Sequence, residues 1–454
     1  MKSEFLNNEN ICLINENNTS VTYGEIYQFS LKLEFIKTNE LSILLVENDL
    51  ISYKLYLGLL IAKKPFLILD KNLSVDFINK FISDYQPTHI FSSSTFISSS
   101  LLDDFHYRII TKNSNFIIDS NIALIIPTSG STGDQKSVML SYKSLESNAK
   151  SVSEYLKLNN KDITITNLPL SYAYGISIVN SHFLSGGRIL VTNLSIIQKR
   201  FWDLFDEFKI TNFNGVPYTY TTMVRMNLNI FKRKSFRFFT QAGGHLDQKV
   251  KQKYLKFCMQ NKKNIFIMYG QTEASPRISY FPLNLFPDKI NSIGKPIPNG
   301  RIFLKDGDTI LNKDMQEGEL CYEGDNIFIG YANSYKELSK VHVIKVLYTG
   351  DIAYRDVDGF YFITGRKSRF IKIDGKRISL DSIQIHLTKT LEKEVICVEK
   401  SDKILIVSEE KIIINDDFKE LMKKFNIRKS DYEIILIESL PRNSSGKIKY
   451  NSIK

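Results

Sequence analysis

The chain has 454 residues, 43% hydrophobic and 24% charged, the balance of a globular protein long enough for two or more domains. Its net charge of +11 suits an acidic partner such as a nucleotide, coenzyme A, an acidic carrier protein or nucleic acid, but the basic residues are spread throughout and no nucleic-acid motif occurs, so composition is the simpler reading. No apolar run approaches a membrane span, no signal-type stretch opens the sequence, and Cys12, Cys258, Cys321 and Cys397 are too far apart for a CxxC site or a disulfide framework, so a cytoplasmic protein without a membrane span or nucleic-acid partner is expected.

Residues 22–35 predict a helix, 42–47 (SILLVE) a strand, 51–62 a helix, 65–69 a strand, 75–85 a helix and 89–91 a short strand. Such alternation implies a mostly parallel sheet with helices on its faces. The stretch 122–137, IALIIPTSGSTGDQKS, follows; its apolar start reads as a buried strand. A loop of Thr128, Ser129, Gly130, Ser131, Thr132 and Gly133 comes next, closed by Lys136. A helix is expected from Ser141, its N-cap, with Tyr142, Leu145, Val152, Tyr155 and Leu156 on one face. Glycines let backbone amides approach a ligand, and the hydroxyls and the ammonium add donors, so the loop suits a phosphate chain. A Ser/Gly-rich surface loop has the same composition. The stretch is not a P-loop, because Gly130 and Gly133 are only three apart and Lys136-Ser137 follow Gln135.

Further on, 163–168 reads as a strand ending in PLSYAYG, 176–184 as a helix, 187–191 as a strand and 201–208 as a helix carrying the only tryptophan, Trp202. Strand then turn is expected over 211–217, a strand over 236–240 ending in QAGGH, a helix over 246–258, and a strand over 264–268 ending in YGQTEA. From about residue 289 hairpin pairs such as Asp306-Gly307 and Asp358-Gly359 predict a small antiparallel region. Mixed α/β structure returns over 379–454, with helices at 380–391 and 417–425, strands at 395–399, 403–407 and 432–437, and a closing Ser/Gly loop at 442–447.

Five loops, TSGSTGDQK, YGQTEAS, YTGD, TGRKSRFIKIDGKRIS and NSSGKIK, occur in that order. Together they resemble the acyl-adenylate-forming superfamily: acyl-CoA synthetases, adenylation domains of peptide synthetases, and luciferase. The resemblance runs from about residue 22 to the C-terminus. It implies an α/β fold. A large N-terminal domain (1–366) of mostly parallel sheets with helices and a small antiparallel region would precede a small, mobile α+β C-terminal domain (367–454). It implies an ATP-dependent acid–thiol ligase. A carboxylate attacks the α-phosphate of ATP, giving acyl-AMP and pyrophosphate, and a pantetheine thiol of coenzyme A or an acyl carrier protein then takes the acyl group.

The resemblance also implies roles. Thr128 to Gly133 and Lys136 would hold the β- and γ-phosphates, where charge grows on the leaving pyrophosphate. Tyr269 would stack on adenine beside Gly270, with Gly243 and Gly244 as the opposite wall. Thr272 and Glu273 would face the α-phosphate, Glu273 and Thr132 would serve Mg²⁺, and Asp351 and Arg366 would bind the ribose. Ser368 stands at the hinge, where Asp or Lys is usual, and 373–377, including Arg377, would swing in for the thiol step. Lys447 would offset the repulsion between the carboxylate and the α-phosphate.

The acid pocket is expected at Tyr172, Tyr174, Gly175 and His245. Amino-acid-activating relatives carry an aspartate in the first segment; LSYAYGIS (170–177) has no acid, and burying an ammonium without an anion is costly. A fatty, hydroxy or aryl acid follows, with the tyrosines hinting at a short or aromatic one. Two other readings are a stand-alone amino-acid adenylation enzyme loading a carrier protein, and a non-catalytic AMP-binding module. The presence of Lys136, Glu273, Asp351, Arg366 and Lys447 argues against the second.

Overall fold

The computed structural model describes residues 9–94, 100–102, 105–110, 116–128, 136–373, 376–400, 403–442 and 448–453. Of the expected site, Ser129, Gly130, Ser131, Thr132, Gly133 and Lys447, the Asp374-Gly375 turn and the side chain of Arg377 lie outside the described residues.

Strands Ile11–Asn15, Arg188–Val191, Ile163–Ile165, Asn212–Gly215, Phe238–Gln241 and Asn264–Tyr269 lie side by side and parallel. Antiparallel edges complete this sheet, Ser20–Thr22 on one side and Ser279–Pro282 with Lys295–Pro296 on the other. A second sheet has a parallel centre of Ile122–Thr128, Phe66–Asp70, Ser42–Val46 and His89–Ser92. Its strands are near-continuous apolar runs because both faces are covered; Ile43 and Leu44 are fully buried on opposite faces. A third, antiparallel sheet runs Thr309–Leu311, Arg301–Asp306, Gly318–Glu323, Leu347–Arg355, Tyr361–Arg366, the hairpin-rich region expected.

Helices start where their caps are. Thr22 and Glu25 form a capping box on Tyr23–Lys32, Ser74 caps Val75–Tyr85, and Ser141 caps Tyr142–Leu156. The last of these packs on Ala173–Leu184 through small polar contacts, including Ser177 Oγ donating to Asn148 Oδ1 at 3.0 Å. One core cluster draws on both helices and all three sheets.

The helix expected from Ser141 is present, with Ser141 as its N-cap, but a strand the sequence did not suggest, Lys136–Ser141, precedes it and runs antiparallel to Ile122–Thr128. Two further expectations change. The helix expected from residue 176 begins at Ala173, so Tyr174 and Gly175 are in its first turn. Pro217, read as a turn, is the first residue of helix Pro217–Met226, a position that suits its fixed φ and missing N–H.

Beyond residue 370 the apolar residues form clusters of their own, one around Ile371, Leu380, Ile404 and Phe418, and another around Ile396, Leu405 and Leu440. Strands Ile396–Lys400, Lys403–Ser408 and Tyr432–Leu436 form a small sheet against helices Leu380–Leu391 and Asp416–Lys424. Among the described residues no helix is long and apolar enough to cross a membrane. All four cysteines are buried free thiols.

Candidate active site

The carboxyl ends of the parallel strands gather most of the described site residues. Strand Asn264–Tyr269 ends at Tyr269, whose hydroxyl donates to Asp351 Oδ2. Asp351 and Arg366 are opposite each other on neighbouring antiparallel strands, and Arg366 Nε reaches Asp351 Oδ1 at 3.1 Å. Asp351 is 5% exposed. Burial holds its carboxyl above the usual carboxylate range, against the opposing pull of Arg366 and the Tyr269 hydroxyl. Three residues from two sheets thus form one ring–carboxylate–guanidinium unit.

Four residues after Tyr269, Glu273 sits in the single turn Thr272–Ala274. Its Oε1 accepts from the Tyr331 hydroxyl at 2.8 Å, and Lys136 Nζ lies 5.3 Å from the centre of the Tyr331 ring. Tyr331 belongs to strand Gly330–Ala332, which pairs with Lys136–Ser141. The closing lysine of the Ser/Gly loop and the expected metal-facing carboxylate are thereby joined through one tyrosine. The sequence reasoning missed it, since Tyr331 stands in no motif. Thr128 Oγ1 donates to the Lys136 carbonyl at 2.9 Å, tying the two ends of the loop.

The glycines differ in purpose. At Gly243, with φ +86°, an added Cβ would lie 2.6 Å from the Tyr172 hydroxyl, so the absence of a side chain is what lets Tyr172 lie against this wall. At Gly270 a Cβ would meet the Pro276 carbonyl at 2.0 Å, and at Gly175 the Pro169 carbonyl at 2.3 Å. Both of these glycines serve close backbone packing, and Gly175 is buried. Tyr174 is buried with its hydroxyl on the Thr240 carbonyl at 2.8 Å, whereas Tyr172 is half-buried and His245 exposed.

Ser368 is exposed in a tight turn in which Arg369 N donates to the Arg366 carbonyl at 3.2 Å. From there the chain is tied back to the larger body: Asp381 accepts from Arg366 N at 2.9 Å and pairs with Arg369, and Lys249 meets Glu392 at 2.6 Å. No group of three or more His, Cys, Asp or Glu residues able to hold a metal occurs among the described residues.

Residues 115–332 match the family model described as AMP-binding enzyme. Over 466 aligned positions the chain is 26% identical to the 2-succinylbenzoate–CoA ligase of Listeria innocua serovar 6a, covering 95% of this chain and 94% of that protein. The chain belongs to the acyl-adenylate-forming superfamily. The oxalate–CoA ligase of Saccharomyces cerevisiae is 27% identical over 74% of this chain, and the chain spans 63% of that longer relative. Among solved structures, the o-succinylbenzoate CoA synthetase of Bacillus subtilis in complex with its acyl-adenylate intermediate superposes with a TM-score of 0.78 at 20% identity, over 98% of this chain and 95% of that one. That likeness carries the superfamily fold across both the large body and the smaller C-terminal unit.

Proposed function

We propose that this chain is an AMP-forming acid–thiol ligase. It activates a carboxylic acid as acyl-AMP with release of pyrophosphate and passes the acyl group to the pantetheine thiol of coenzyme A or of an acyl carrier protein. One observation carries the reading: Tyr269–Asp351–Arg366 and Glu273–Tyr331–Lys136 converge at the end of a single strand. A nucleotide needs an aromatic face, an acceptor for its ribose diol and cations for its phosphates, and these two units supply all three.

In this reading Tyr269 offers its ring to adenine, with Gly243 and Gly244 as the opposite wall, and Asp351 accepts from the ribose hydroxyls while Arg366 keeps it ionised. Lys136 and the loop from Thr128 hold the phosphates that leave. Tyr331 fixes the Glu273 carboxylate by a hydrogen bond, so that it faces the α-phosphate without reorganising. A lone carboxylate suits Mg²⁺, which binds through one or two carboxylates plus substrate phosphates and neutralises their charge. Glu273 would hold it, joined by Thr132 of the loop. The acid's carboxylate oxygen bonds to the α-phosphorus as the bond to pyrophosphate breaks, and Lys447 would shield the two anions as they meet. The unit after Ser368 would then turn, bringing 373–377 and Arg377 to the thiol. An unaminated acid agrees with a pocket segment lacking a carboxylate and with the amine-free acids in the two relatives' names. We place the reaction in the cytoplasm, where ATP and coenzyme A are supplied.

ATP–pyrophosphate exchange across a panel of acids, followed by thioester trapping with coenzyme A and with candidate carrier proteins, tests the proposal. Exchange that depends on an acid is expected. Nucleotide binding with no acid-dependent exchange would overturn it.

A further inference from the structure

Arg277 is only 2% exposed and is one of the largest fully buried side chains among the described residues. Its Nε has no hydrogen-bond partner, and Nη1 reaches the Pro276 carbonyl at a long 3.3 Å. No described carboxylate forms an ion pair with it. The guanidinium carbon lies 4.3 Å from the centre of the Tyr174 ring, a cation–π contact that compensates only part of the lost hydration. Tyr155 meets it as well: burial pushes this phenol up to about 12, against the opposing field of Arg277 and a hydrogen bond with it. The arginine is therefore held between helices Tyr142–Leu156 and Ala173–Leu184.

A second buried donor, on helix Tyr142–Leu156, also has no acceptor. Asn148 is 2% exposed, and its Nδ2 has no partner, its Oδ1 being taken by Ser177. Ser177 is one helical turn from Tyr174, on the same face. Two buried donor atoms, Arg277 Nε and Asn148 Nδ2, thus have no acceptor among the described residues, the first belonging to a cation whose described partners, the Pro276 carbonyl and the Tyr155 and Tyr174 phenols, are all neutral. The place adjoins the expected acid pocket: Tyr174 and Tyr172 meet edge to face at 6.4 Å, and Tyr172 lies against Gly243.

We propose that the acid activated by this enzyme carries a second carboxylate, and that Arg277, assisted by Asn148, is the specificity-determining residue that binds it. The inference rests on the ligase reading above and narrows its substrate class to dicarboxylic acids. One carboxyl group meets the α-phosphate, and the other pairs with the buried guanidinium, whose planar fork matches a carboxylate. Protein alone does not neutralise this charge, so an acid lacking the second carboxylate leaves the arginine buried and unpaired, which is how a polar site rejects a substrate.

Acid-dependent ATP–pyrophosphate exchange with pairs matched in skeleton, hexanoate against adipate and phenylacetate against homophthalate, is the test. The dicarboxylate of at least one pair should be favoured by about 100-fold or more in kcat/KM. Arg277→Met should bring that ratio close to unity by raising KM for the dicarboxylate, while Arg277→Lys should keep part of it. A wild-type enzyme that uses the monocarboxylates as well or better overturns the inference and leaves the ligase reading standing. So does a ratio that survives in Arg277→Met. Should that variant not fold, the wild-type ratio and Arg277→Lys decide. Absence of exchange with every acid, in a protein that binds ATP, overturns both.

Discussion

Replacing Asp351 with alanine isolates the nucleotide clamp. The carboxylate is buried, accepts from the Tyr269 hydroxyl and meets Arg366 at 3.1 Å. In the proposed complex it also accepts from the ribose hydroxyls. A hydrogen bond to a charged group contributes about 1.5–3 kcal/mol, so two ribose contacts amount to roughly 3–6 kcal/mol. The Arg366 side chain is 54% exposed, so losing that pair adds little beyond solvent-screened attraction. Since the ribose also regains contacts with water, a net loss of about 3 kcal/mol is expected, roughly a 100-fold weaker AMP affinity. Isothermal titration with AMP measures it, and an AMP analogue lacking both ribose hydroxyls supplies the control. Wild-type protein should lose about as much affinity with the analogue as Asp351→Ala loses with AMP, and the variant should not distinguish the two nucleotides. A folded variant that binds AMP normally, or one that still discriminates, refutes the assignment.

Lys447→Ala should lower adenylation by roughly 100-fold or more while leaving AMP affinity unchanged; near-normal pyrophosphate exchange would remove Lys447 from the mechanism. Tyr331→Phe breaks the 2.8 Å bond to Glu273 and should weaken exchange by about 1 kcal/mol, with Tyr331→Ala weaker still because the ring near Lys136 is lost too; equal activity in all three proteins would show that Tyr331 does not orient Glu273. The buried Asp351 carboxyl is held above its ordinary value of 3.8, and its protonated form accepts poorly, so AMP affinity should fall as pH drops through that raised value. Asp351→Asn should flatten this part of the profile, and an identical acid limb in the variant would assign it elsewhere. Lys251, buried with Nζ 3.1 Å from the Ile290 carbonyl, has its pKa pushed down by burial from 10.5 to about 8. The folded value being the lower one, the charged lysine destabilises fully below pH 8, and the cost is relieved between 8 and 10.5. Lys251→Met should therefore raise stability at neutral pH by about 2 kcal/mol and abolish the wild-type gain over that alkaline range, as urea titrations at several pH values would show.

What the sequence made legible was set by local physics. Helix Val75–Tyr85 was predicted to the residue because Ser74 caps it and its apolar positions recur at helical spacing. The strand–helix order of the first hundred residues came through because parallel strands buried on both faces are short, unbroken apolar runs. Strand Ile11–Asn15 was overlooked: five residues between Asn10 and Glu16 carry little period, and its place is fixed by pairing with Arg188–Val191 far along the chain. Helix Pro217–Met226 was missed because PYTYTTMVRM is rich in aromatic and β-branched residues, and tertiary packing of Tyr220 and Met223 overrode that preference. Within the candidate site the motifs named Tyr269, Asp351, Arg366, Glu273 and Lys136. They could not name Tyr331, which reaches Glu273 only through a strand pairing more than fifty residues away. Arg277 carried one signal, a charge following YGQTEASP ahead of an apolar strand, whose meaning depends on burial that no pattern reveals.

Direct attack by the acid on the α-phosphorus is the step on which the account turns. With an acid identified by exchange, its carboxylate labelled with heavy oxygen, and ATP and coenzyme A present, the account predicts AMP carrying one labelled oxygen and unlabelled pyrophosphate. Unlabelled AMP, or label in ADP, phosphate or pyrophosphate, would contradict it.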